Sequence, residues 1–312
     1  MYKKLRVSLV IPAYNEQKLI IPTLKGVPRY VDRVYVVDDR SKDSTPKLVV
    51  DYAKKDRRVR LIRHGKNMGV GQAIITGYRQ SSKDGYDIAV VVGGDNQMDL
   101  ADMPNFLEPF VKNEADYVKG NRWMWRSLES MPKHRLLGNS TLSFLTKIAS
   151  GYWKIFDTQD GYTAVRKRVI DTVDWDKAWK GYGYVSDWLI RMNAYGFRVK
   201  DVPRRPIYLP GERQSQIGIG RYIFKVLPMI TRGFFWRLKE KYIIRDFHPL
   251  VFFYTLGLIT LPLGIIYGLW LLWYKNVFGV FTGTNAVLVA LLVITGLQSL
   301  FFAMLFDMEA SG

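Results

Sequence analysis

Two long segments without charged residues lie near the end of this 312-residue chain, and they restrict its fold more than any other feature. Residues 249–273 and 277–306 contain no Asp, Glu, Lys or Arg, and aromatic residues collect at their ends. A helix of about 20 apolar residues crosses the hydrocarbon core of a bilayer, and aromatic residues prefer its interfaces. We predict a two-helix transmembrane hairpin over 249–306 with a turn at 274–276. The alternative is a pair of buried helices, but the chain offers no soluble partner large enough to cover them.

Charge is distributed unevenly along the chain. The formal net charge is +18, and the C-terminal charged residues Lys275, Asp307 and Glu309 sum to −1, so residues 1–248 carry +19. Because basic segments stay on the cytoplasmic side of a membrane, we expect residues 1–248 to be cytoplasmic. Two spans return the chain to the same side, so we expect both termini to be cytoplasmic. The first apolar run, Val7–Pro12, is too short for a secretory signal peptide. The lack of Cys excludes a disulfide framework, a thiolate metal site and a Cys nucleophile.

A third segment, residues 217–248, connects the basic front to the apolar hairpin. Basic side chains alternate there with Tyr, Phe, Trp and Leu, and only Glu240 and Asp246 are acidic. Basic amphipathic helices of this kind lie in the membrane interface, where anionic lipids attract Lys and Arg. We predict two short interfacial helices separated at Pro228, because proline interrupts helical hydrogen bonding. A solvated helix packed on the front domain is the alternative. Residues 307–312 are expected to form a short tail.

The front of the chain, residues 1–216, has the pattern of one α/β domain. Short β-branched segments alternate with helical patterns at intervals of roughly 20–25 residues, which is typical of a mostly parallel sheet with helices on both faces. The predicted strands are Arg6–Ile11, Arg33–Val37, Val59–Arg63, Asp87–Val92 and Tyr117–Lys119. The predicted helices are Glu16–Leu24, Thr45–Lys55, Gly71–Gln80 and Met103–Asn113. Such sheets bind ligands outside the carboxyl ends of their strands.

Polar residues follow the first four predicted strands, beginning with Asn15 and Glu16 after the first. Asp38 and Asp39 follow the second strand, where such residues cap helices, form turns or bind ligands. The segment 67–71, Asn-Met-Gly-Val-Gly, follows the third strand and fits either a plain turn or a ligand loop. Asp95 and Gln97 follow the fourth strand. Their oxygens suit a hard cation such as Mg²⁺ or Mn²⁺, which usually binds one or two carboxylates together with phosphate.

Four segments, taken in order, resemble the nucleotide-sugar-binding domain of family 2 glycosyltransferases, whose fold is called GT-A. They are VSLVIPAYNE, VVDDRSKDST, NMGVGQAIITGYR and VVGGDNQMD. The resemblance extends over residues 5–245 and is greatest to polyprenyl-phosphate glycosyltransferases of the dolichol-phosphate mannose synthase type. It implies a GT-A-type (Rossmann-like) catalytic domain that transfers a sugar from a nucleotide sugar, GDP-mannose or a UDP-hexose, to a polyprenyl or dolichyl phosphate in the membrane.

The resemblance also implies roles on the donor side. The residues expected to bind the nucleotide sugar are Pro12, Tyr14, Glu16, Asp38, Asp39, Asn67, Gly69, Asp95 and Arg213. Asp95 and Gln97 would hold a divalent cation, Mg²⁺ or Mn²⁺, against the diphosphate, and Arg213 would close over it. The family motif usually is Asp-x-Asp, and Gly93 stands here in place of the first Asp. That departure implies either a metal site with one carboxylate or a weakened or lost activity.

On the acceptor side, the resemblance implies that Arg122, Arg135 and Asn139 bind the lipid phosphate. The expected catalytic residues are Asp95, Arg122 and Arg135. A lipid phosphate is already largely ionised at neutral pH, so it needs bound positive charge more than a protein base. We expect it to attack the anomeric carbon in a single displacement with inversion. The residues expected near the sugar, or to orient the cleft, are Asp160 and Asp187.

Three other functions match part of the sequence. A processive polysaccharide synthase shares the donor domain, but it usually has a Gln-x-x-Arg-Trp segment and more spans, whereas Trp236 and Arg237 stand in the reverse order here. A membrane-anchored nucleotide-sugar-binding protein without turnover is compatible with Gly93. A nucleic-acid-binding protein would match the net charge alone, without any recognisable nucleic-acid-binding motif, so we expect no nucleic-acid partner. The sequence leaves the oligomeric state open.

Overall fold

The computed structural model describes residues 1–124, 133–205, 207, 219–280 and 282–310, and their side chains except those of 133–139 and 219–224. Two compact units divide the chain, Met1–Phe234 and Phe235–Gly312. The first contains a β-sheet with its helices, and the second contains the two long apolar helices.

A seven-stranded mixed sheet forms the centre of the first unit. Its strands are β1 (Val7–Ala13), β2 (Arg33–Asp38), β3 (Val59–Arg63), β4 (Ile88–Val91), β5 (Tyr117–Asn121), β6 (Thr163–Arg166) and β7 (Val199–Pro203). Their order is β3-β2-β1-β4-β6-β5-β7. All neighbours are parallel except β6, which is antiparallel to both β4 and β5. The carboxyl ends of six strands therefore share one edge of the sheet with the amino end of β6.

Helices cover both faces of this sheet. They are α1 (Ile20–Lys25), α2 (Thr45–Ala53), α3 (Val70–Lys83), α4 (Met103–Val111), α5 (Lys133–Ser150), α6 (Lys167–Thr172) and α7 (Tyr184–Ala194). Successive residues of a strand face opposite sides, so Leu9 packs in one apolar cluster with Phe106, and Val10 packs in the other with Ile74 and Trp188. The mostly parallel sheet with helices on both faces confirms the predicted α/β class.

Two strands of the sheet have no counterpart among the predicted ones. β6 has only four residues, and β7 lies at the edge of the sheet and carries Lys200 and Asp201. An edge strand of mixed polarity lacks the continuous apolar pattern by which buried parallel strands are recognised in a sequence. Hydrogen bonding to β5 therefore defines β7, and this pairing is visible only in the folded chain.

The second unit contains α9 (Leu250–Phe278) and α10 (Gly283–Glu309), which pack against each other through glycine positions. A Cβ atom on Gly296 would lie 2.6 Å from the backbone nitrogen of Leu261, so only glycine allows this approach. Both helices are long and apolar enough to cross a membrane.

The turn between these two helices differs from the prediction. Residues 274–276 continue α9, which ends at Phe278 and is followed by Gly279 with a φ of +83°. Glycine adopts this left-handed conformation without strain and commonly ends helices, whereas the single Lys275 is compatible with a helical backbone. The predicted position of the turn is therefore wrong by about one helical turn.

Pro228 does not divide the amphipathic segment into two helices. One continuous helix, α8 (Ile219–Lys239), passes through it and is followed by a π-helical turn, Glu240–Arg245. Proline removes one backbone hydrogen bond, but Val226 and Ile230 on either side of it are both buried. Packing of this apolar side holds the helix together, so the prediction of two short helices is wrong.

A buried ion pair joins the start and the end of the second unit. Arg237 is fully buried in the last turns of α8, and its two Nη atoms donate to the Asp307 carboxylate near the end of α10, each at 2.8 Å. The Tyr242 hydroxyl donates to the same carboxylate at 2.5 Å. Because an unpaired buried charge is strongly destabilising, this pair fixes the end of α10 against the end of α8.

Replacing Asp307 with Asn should lower the stability of the protein by about 3–5 kcal/mol, because buried Arg237 loses its counter-charge. The measurement is the Tm of the purified protein in detergent micelles. Glu309→Gln removes an exposed carboxylate two residues further along and is the matched control, with a Tm close to that of the parent. Equal Tm values for the two variants would contradict the role of the ion pair.

Candidate active site

The loop after β1 is hydrogen-bonded to the loop after β2 at the carboxyl edge of the sheet. The backbone N–H of Asn15 donates to Ser41 Oγ at 2.9 Å, and the N–H of Lys42 donates to Asn15 Oδ1 at 2.8 Å. The N–H of Glu16 donates to Thr45 Oγ1 at 2.8 Å. A cleft of about 460 Å³ opens beside these loops. Three donor-binding residues were predicted here. Pro12 lies near the end of β1, and Tyr14 and Glu16 lie in the loop that follows it.

Asp39 holds the loop after β3. Its carboxylate accepts hydrogen bonds from the backbone N–H groups of Met68 and Gly69, each at 2.8 Å. The same carboxylate lies 2.7 Å from Nδ1 of His64, whose Nε2 lies 3.0 Å from Thr76 Oγ1. Asp39 is therefore buried at the predicted donor edge and already organises a neighbouring loop.

Asp38 has a different set of partners. It is fully buried, and it accepts hydrogen bonds from Arg63 Nε at 3.1 Å and from the backbone N–H of Ser41 at 3.2 Å. The bond to Ser41 closes a turn, which is one of the alternatives that the sequence left open. Asp38 and Arg63 thus join the ends of β2 and β3.

The glycines after β3 allow one backbone to approach another. The N–H of Gly71 donates to the Lys180 carbonyl at 2.9 Å, and a Cβ atom on Gly69 or Gly71 would lie 2.8 Å from that oxygen. Gly69 also has a φ of +90°, which glycine adopts without strain. Asn67 is exposed at the start of this loop. The spacing of these glycines therefore serves the packing of the loop on residue 180.

The loop after β4 contains Asp95 and Gln97. The backbone N–H of Gln97 donates to Asp95 Oδ1 at 3.2 Å. Burial raises the pKa of the Asp95 carboxyl, and this effect is partly offset by backbone N–H groups and by the charge of Arg204. A Cβ atom on Gly93 would lie 2.8 Å from Asp95 Oδ1, so a side chain at that position would displace the carboxylate.

The fit of a metal ion to this loop depends on how many ligands the protein supplies. Among the described residues, no group of three or more His, Cys, Asp and Glu side chains is arranged around one point. Asp95 and Gln97 together are a partial set of oxygen ligands. Because Mg²⁺ binds commonly through one or two carboxylates plus phosphate oxygens, these residues fit a cation that a diphosphate helps to hold.

A buried network of carboxylates and guanidinium groups continues from the Asp95 loop. Arg204, which follows β7, donates from Nη1 to the Gln97 carbonyl at 3.1 Å and from Nε to Asp160 Oδ2 at 2.6 Å. Arg122 Nε lies 3.4 Å from the same Asp160 oxygen. Arg122 also donates from Nε and Nη2 to Asp157, at 2.6 and 2.9 Å. The contacts therefore run without a break from Gln97 to Arg122.

Positive charge lowers the pKa of one carboxyl group in this network, that of Asp157. Burial raises the pKa of Asp157, but the charge and hydrogen bonds of Arg122, with the charge of Lys119, lower it to about 2. Lys119 is fully buried and lies 3.1 Å from Asp201, and Asn121 donates to that carboxylate at 2.8 Å. With 21% of its side chain exposed, Arg122 is the most accessible member of its two ion pairs.

Of the four remaining predicted residues, the structure describes the side chain of Asp187 alone. Arg135 and Asn139 belong to α5, but their side chains lie outside the described residues, and Arg213 lies outside them altogether. Asp187 is buried in the first turn of α7, where it accepts a hydrogen bond from the backbone N–H of Trp179 at 2.8 Å. Asp187 therefore holds the loop before α7.

Arg204 and His64 are two of the residues at this edge that were not among the predicted site residues. His64 follows β3 directly and orients Asp39, and Arg204 follows β7 and joins Asp160 to Gln97. A polar residue immediately after a strand was the signal that identified Asp38 and Asp39, and the same signal marks His64. Arg204 could not be found in this way, because β7 itself was not predicted.

Several known proteins are similar in sequence to this chain. Residues 8–174 match the profile of glycosyl transferase family 2. A UDP-N-acetylglucosamine–dolichyl-phosphate N-acetylglucosaminyltransferase of Methanococcus voltae is 30% identical over 243 residues, which cover 73% of this chain and 96% of that protein. An undecaprenyl-phosphate mannosyltransferase of Micrococcus luteus is 30% identical over 203 residues, covering 64% of this chain and 82% of that protein.

Solved structures share the fold. Glucosyl-3-phosphoglycerate synthase from Mycobacterium tuberculosis, solved with Mn²⁺, UDP and glucosyl-3-phosphoglycerate, aligns with a TM-score of 0.51 at 15% identity. The alignment covers 76% of this chain and 80% of that one. At this identity the likeness concerns the fold, and it confirms the GT-A-type architecture expected from the sequence. The profile match and the similarity to whole relatives show that the chain is a glycosyltransferase and belongs to glycosyl transferase family 2.

Proposed function

We propose that this protein transfers a sugar from a nucleotide sugar to the phosphate of a polyprenyl or dolichyl phosphate in the membrane. The observation that carries the proposal is the run of contacts from Gln97 through Arg204 and Asp160 to Arg122. These contacts connect the Asp95–Gln97 loop, which suits a diphosphate, to the guanidinium group of Arg122, which suits a lipid phosphate. The names of the two relatives support this acceptor, since one contains dolichyl phosphate and the other undecaprenyl phosphate.

The donor is proposed to bind across the loops after β1, β2 and β3. The Pro12–Glu16 loop and Asp39 would contact the base and ribose, with Asp38 beside them. Asp39 would act partly by holding the loop that contains Asn67 and Gly69, because it accepts hydrogen bonds from that loop. The donor is a GDP-sugar or a UDP-sugar, and GDP-mannose and the UDP-hexoses are the compounds to be tested.

Asp95 and Gln97 are proposed as the residues that would hold a divalent cation, Mg²⁺ or Mn²⁺, with the help of the donor diphosphate. When bound, such a cation neutralises charge on a departing diphosphate. Asp95 supplies the carboxylate, and Gly93 leaves room for it. Arg213 would add positive charge on the diphosphate. The replacement of the usual first Asp by Gly93 then gives a site with one carboxylate.

The reaction is proposed to be a single displacement. A phosphate oxygen of the lipid forms a bond to the anomeric carbon while the bond from that carbon to the diphosphate breaks, so the configuration at that carbon inverts. The nucleophile is already ionised, so the protein would supply positive charge from Arg122 and Arg135, a neutral hydrogen-bond donor from Asn139, and no strong base. Asp157 orients Arg122 by a two-point hydrogen bond.

Residues 1–216 are proposed to form a cytoplasmic catalytic domain, 217–248 an interfacial segment and 249–306 a membrane hairpin. The long hydrocarbon tail of the acceptor requires an enzyme that works at a bilayer, and α9 and α10 supply the apolar helices for insertion. Lys225, Leu227 and Phe235 are exposed on α8, which combines charged and apolar groups on its accessible surface. The basic front fits the cytoplasmic orientation.

Membranes that contain the full chain should transfer label from one nucleotide sugar to dolichyl phosphate. Radiolabelled GDP-mannose, UDP-glucose and UDP-N-acetylglucosamine are supplied in turn, and label in the organic phase is counted. EDTA should stop the transfer, and membranes without the chain are the control. Donor binding without transfer would indicate a nucleotide-sugar-binding protein instead. Failure with every donor, where a relative is active, would contradict the proposed function.

Asp95→Asn should lower kcat by about a hundredfold, because the one carboxylate that would hold the cation is lost. Initial rates are measured at several Mg²⁺ and Mn²⁺ concentrations. Asp99→Asn is the matched control: Asp99 accepts a hydrogen bond from the Ala101 N–H at 2.9 Å, and an amide oxygen can still accept it. Its kcat should stay within a few-fold of the parent. Unchanged turnover in Asp95→Asn would remove the metal assignment.

Arg122→Lys should raise the KM for the lipid phosphate by roughly tenfold, because lysine keeps the charge but not the planar two-point contact of a guanidinium. The KM for the nucleotide sugar should change much less. Arg79→Lys, which alters an exposed arginine paired with Asp176, is the control. If both KM values rise equally, Arg122 acts only by maintaining the fold of the sheet edge.

A further inference from the structure

One amide side chain lies exposed in the middle of an apolar helix. Gln298 is nine residues before Asp307 in α10, which places it about 14 Å along the helix from that charged residue. It is 15 residues, or about 22 Å, from Gly283 at the other end. In a hydrocarbon core about 30 Å thick, Gln298 is therefore far from both interfaces.

The side-chain amide of Gln298 has no hydrogen-bond partner among the described residues. The neighbouring polar residue Ser299 is buried on the side of α10 that packs against α9, together with Gly296 and Ala303. An amide in hydrocarbon without a hydrogen bond is costly, and the side chain is too short to reach the headgroups from this depth. A partner outside the single chain would remove that cost.

The residues that share the face of Gln298 repeat with a period of 3.5. Steps of four and three residues alternate through Val287, Leu291, Ile294, Gln298, Phe301 and Leu305. All six side chains are exposed, and five of them are large and apolar. This is the a/d spacing by which two helices interlock, and a single polar residue at such a position fixes register and partner number.

We propose that α10 pairs with α10 of a second copy of this chain along this seam, with the two Gln298 amides hydrogen-bonded to each other. An amide carries both a donor and an acceptor, so it is complementary to its own copy. Copies inserted in the same orientation hold Gln298 at the same depth, and a two-fold axis along the membrane normal brings the two amides together. A partner of another sequence would need an independent polar group at that depth.

The proposal rests on the insertion of α9 and α10 into the membrane, which is part of the proposed function. Resistance of the protein to alkaline carbonate extraction establishes insertion separately. Sugar transfer to dolichyl phosphate is then measured on the same membranes, so that a failure of pairing and a failure of the catalytic proposal can be told apart.

Disulfide cross-linking tests the seam directly, because the chain has no Cys and each introduced thiol is unique. Ile294→Cys lies on the seam, whereas Leu297→Cys is also exposed but lies about 100° around the helix from Gln298. The full-length variants are reconstituted in phosphatidylcholine vesicles and oxidised with copper phenanthroline. We expect a covalent dimer from Ile294→Cys and little from Leu297→Cys. Equal yields from both, no dimer from either, or cross-linking only to a protein of different mass in native membranes would overturn the proposal.

The amide itself is tested in the Ile294→Cys background. Gln298→Leu should weaken dimerisation roughly tenfold, measured by the yield of oxidised dimer as the protein-to-lipid ratio in the vesicles is lowered, because an interhelical amide contact is lost. Gln298→Asn retains the amide and should retain most of the dimer. Circular dichroism confirms that both variants are folded. A dimer of unchanged affinity in Gln298→Leu would overturn the role of the amide.

Discussion

Pairing of buried carboxylates with guanidinium groups at the carboxyl edge of the sheet is the interaction on which the first unit depends. Asp157 and Asp160 precede β6, whereas Arg122 and Arg204 follow β5 and β7, so two ion pairs join three separate segments. Loss of one partner from a buried pair costs about 3–5 kcal/mol, because the other charge stays buried. The edge is therefore held as a whole, and the Gln97 loop is included through Arg204.

The antiparallel strand β6 makes this arrangement possible. In a parallel sheet only the carboxyl ends of the strands reach the ligand-binding edge. Here β6 lies between β4 and β5 and runs in the opposite direction, so its amino end lies at that edge. The residues that precede it, including Asp160, therefore reach the same edge as the residues that follow β4 and β5. One reversed strand thus adds acidic residues to the edge at which the nucleotide sugar is proposed to bind.

The distribution of charge gives a common physical basis to the proposed substrates. Donor and acceptor both carry phosphate, and so does the surface of a membrane. Residues 1–248, with a formal charge of +19, attract all three, while the nearly uncharged residues 249–312 suit a hydrocarbon environment. The proposed chemistry needs oriented positive charge more than a base. The basic residues with fixed orientation, such as Arg122, are those paired with buried carboxylates.

The sequence by itself determined the α/β class, the first five strands and the two long apolar helices, because these depend on the local alternation of apolar and polar residues. It also determined which loops follow the strand ends, and hence the positions of Asp39 and Asp95. Only the tertiary structure decided that β6 is antiparallel, that β7 completes the sheet, and that Arg204 belongs to the edge. It also decided that α8 continues through Pro228 and that Arg237 pairs with Asp307. These features depend on contacts between residues far apart in the chain, whose energies leave no periodic pattern in the sequence.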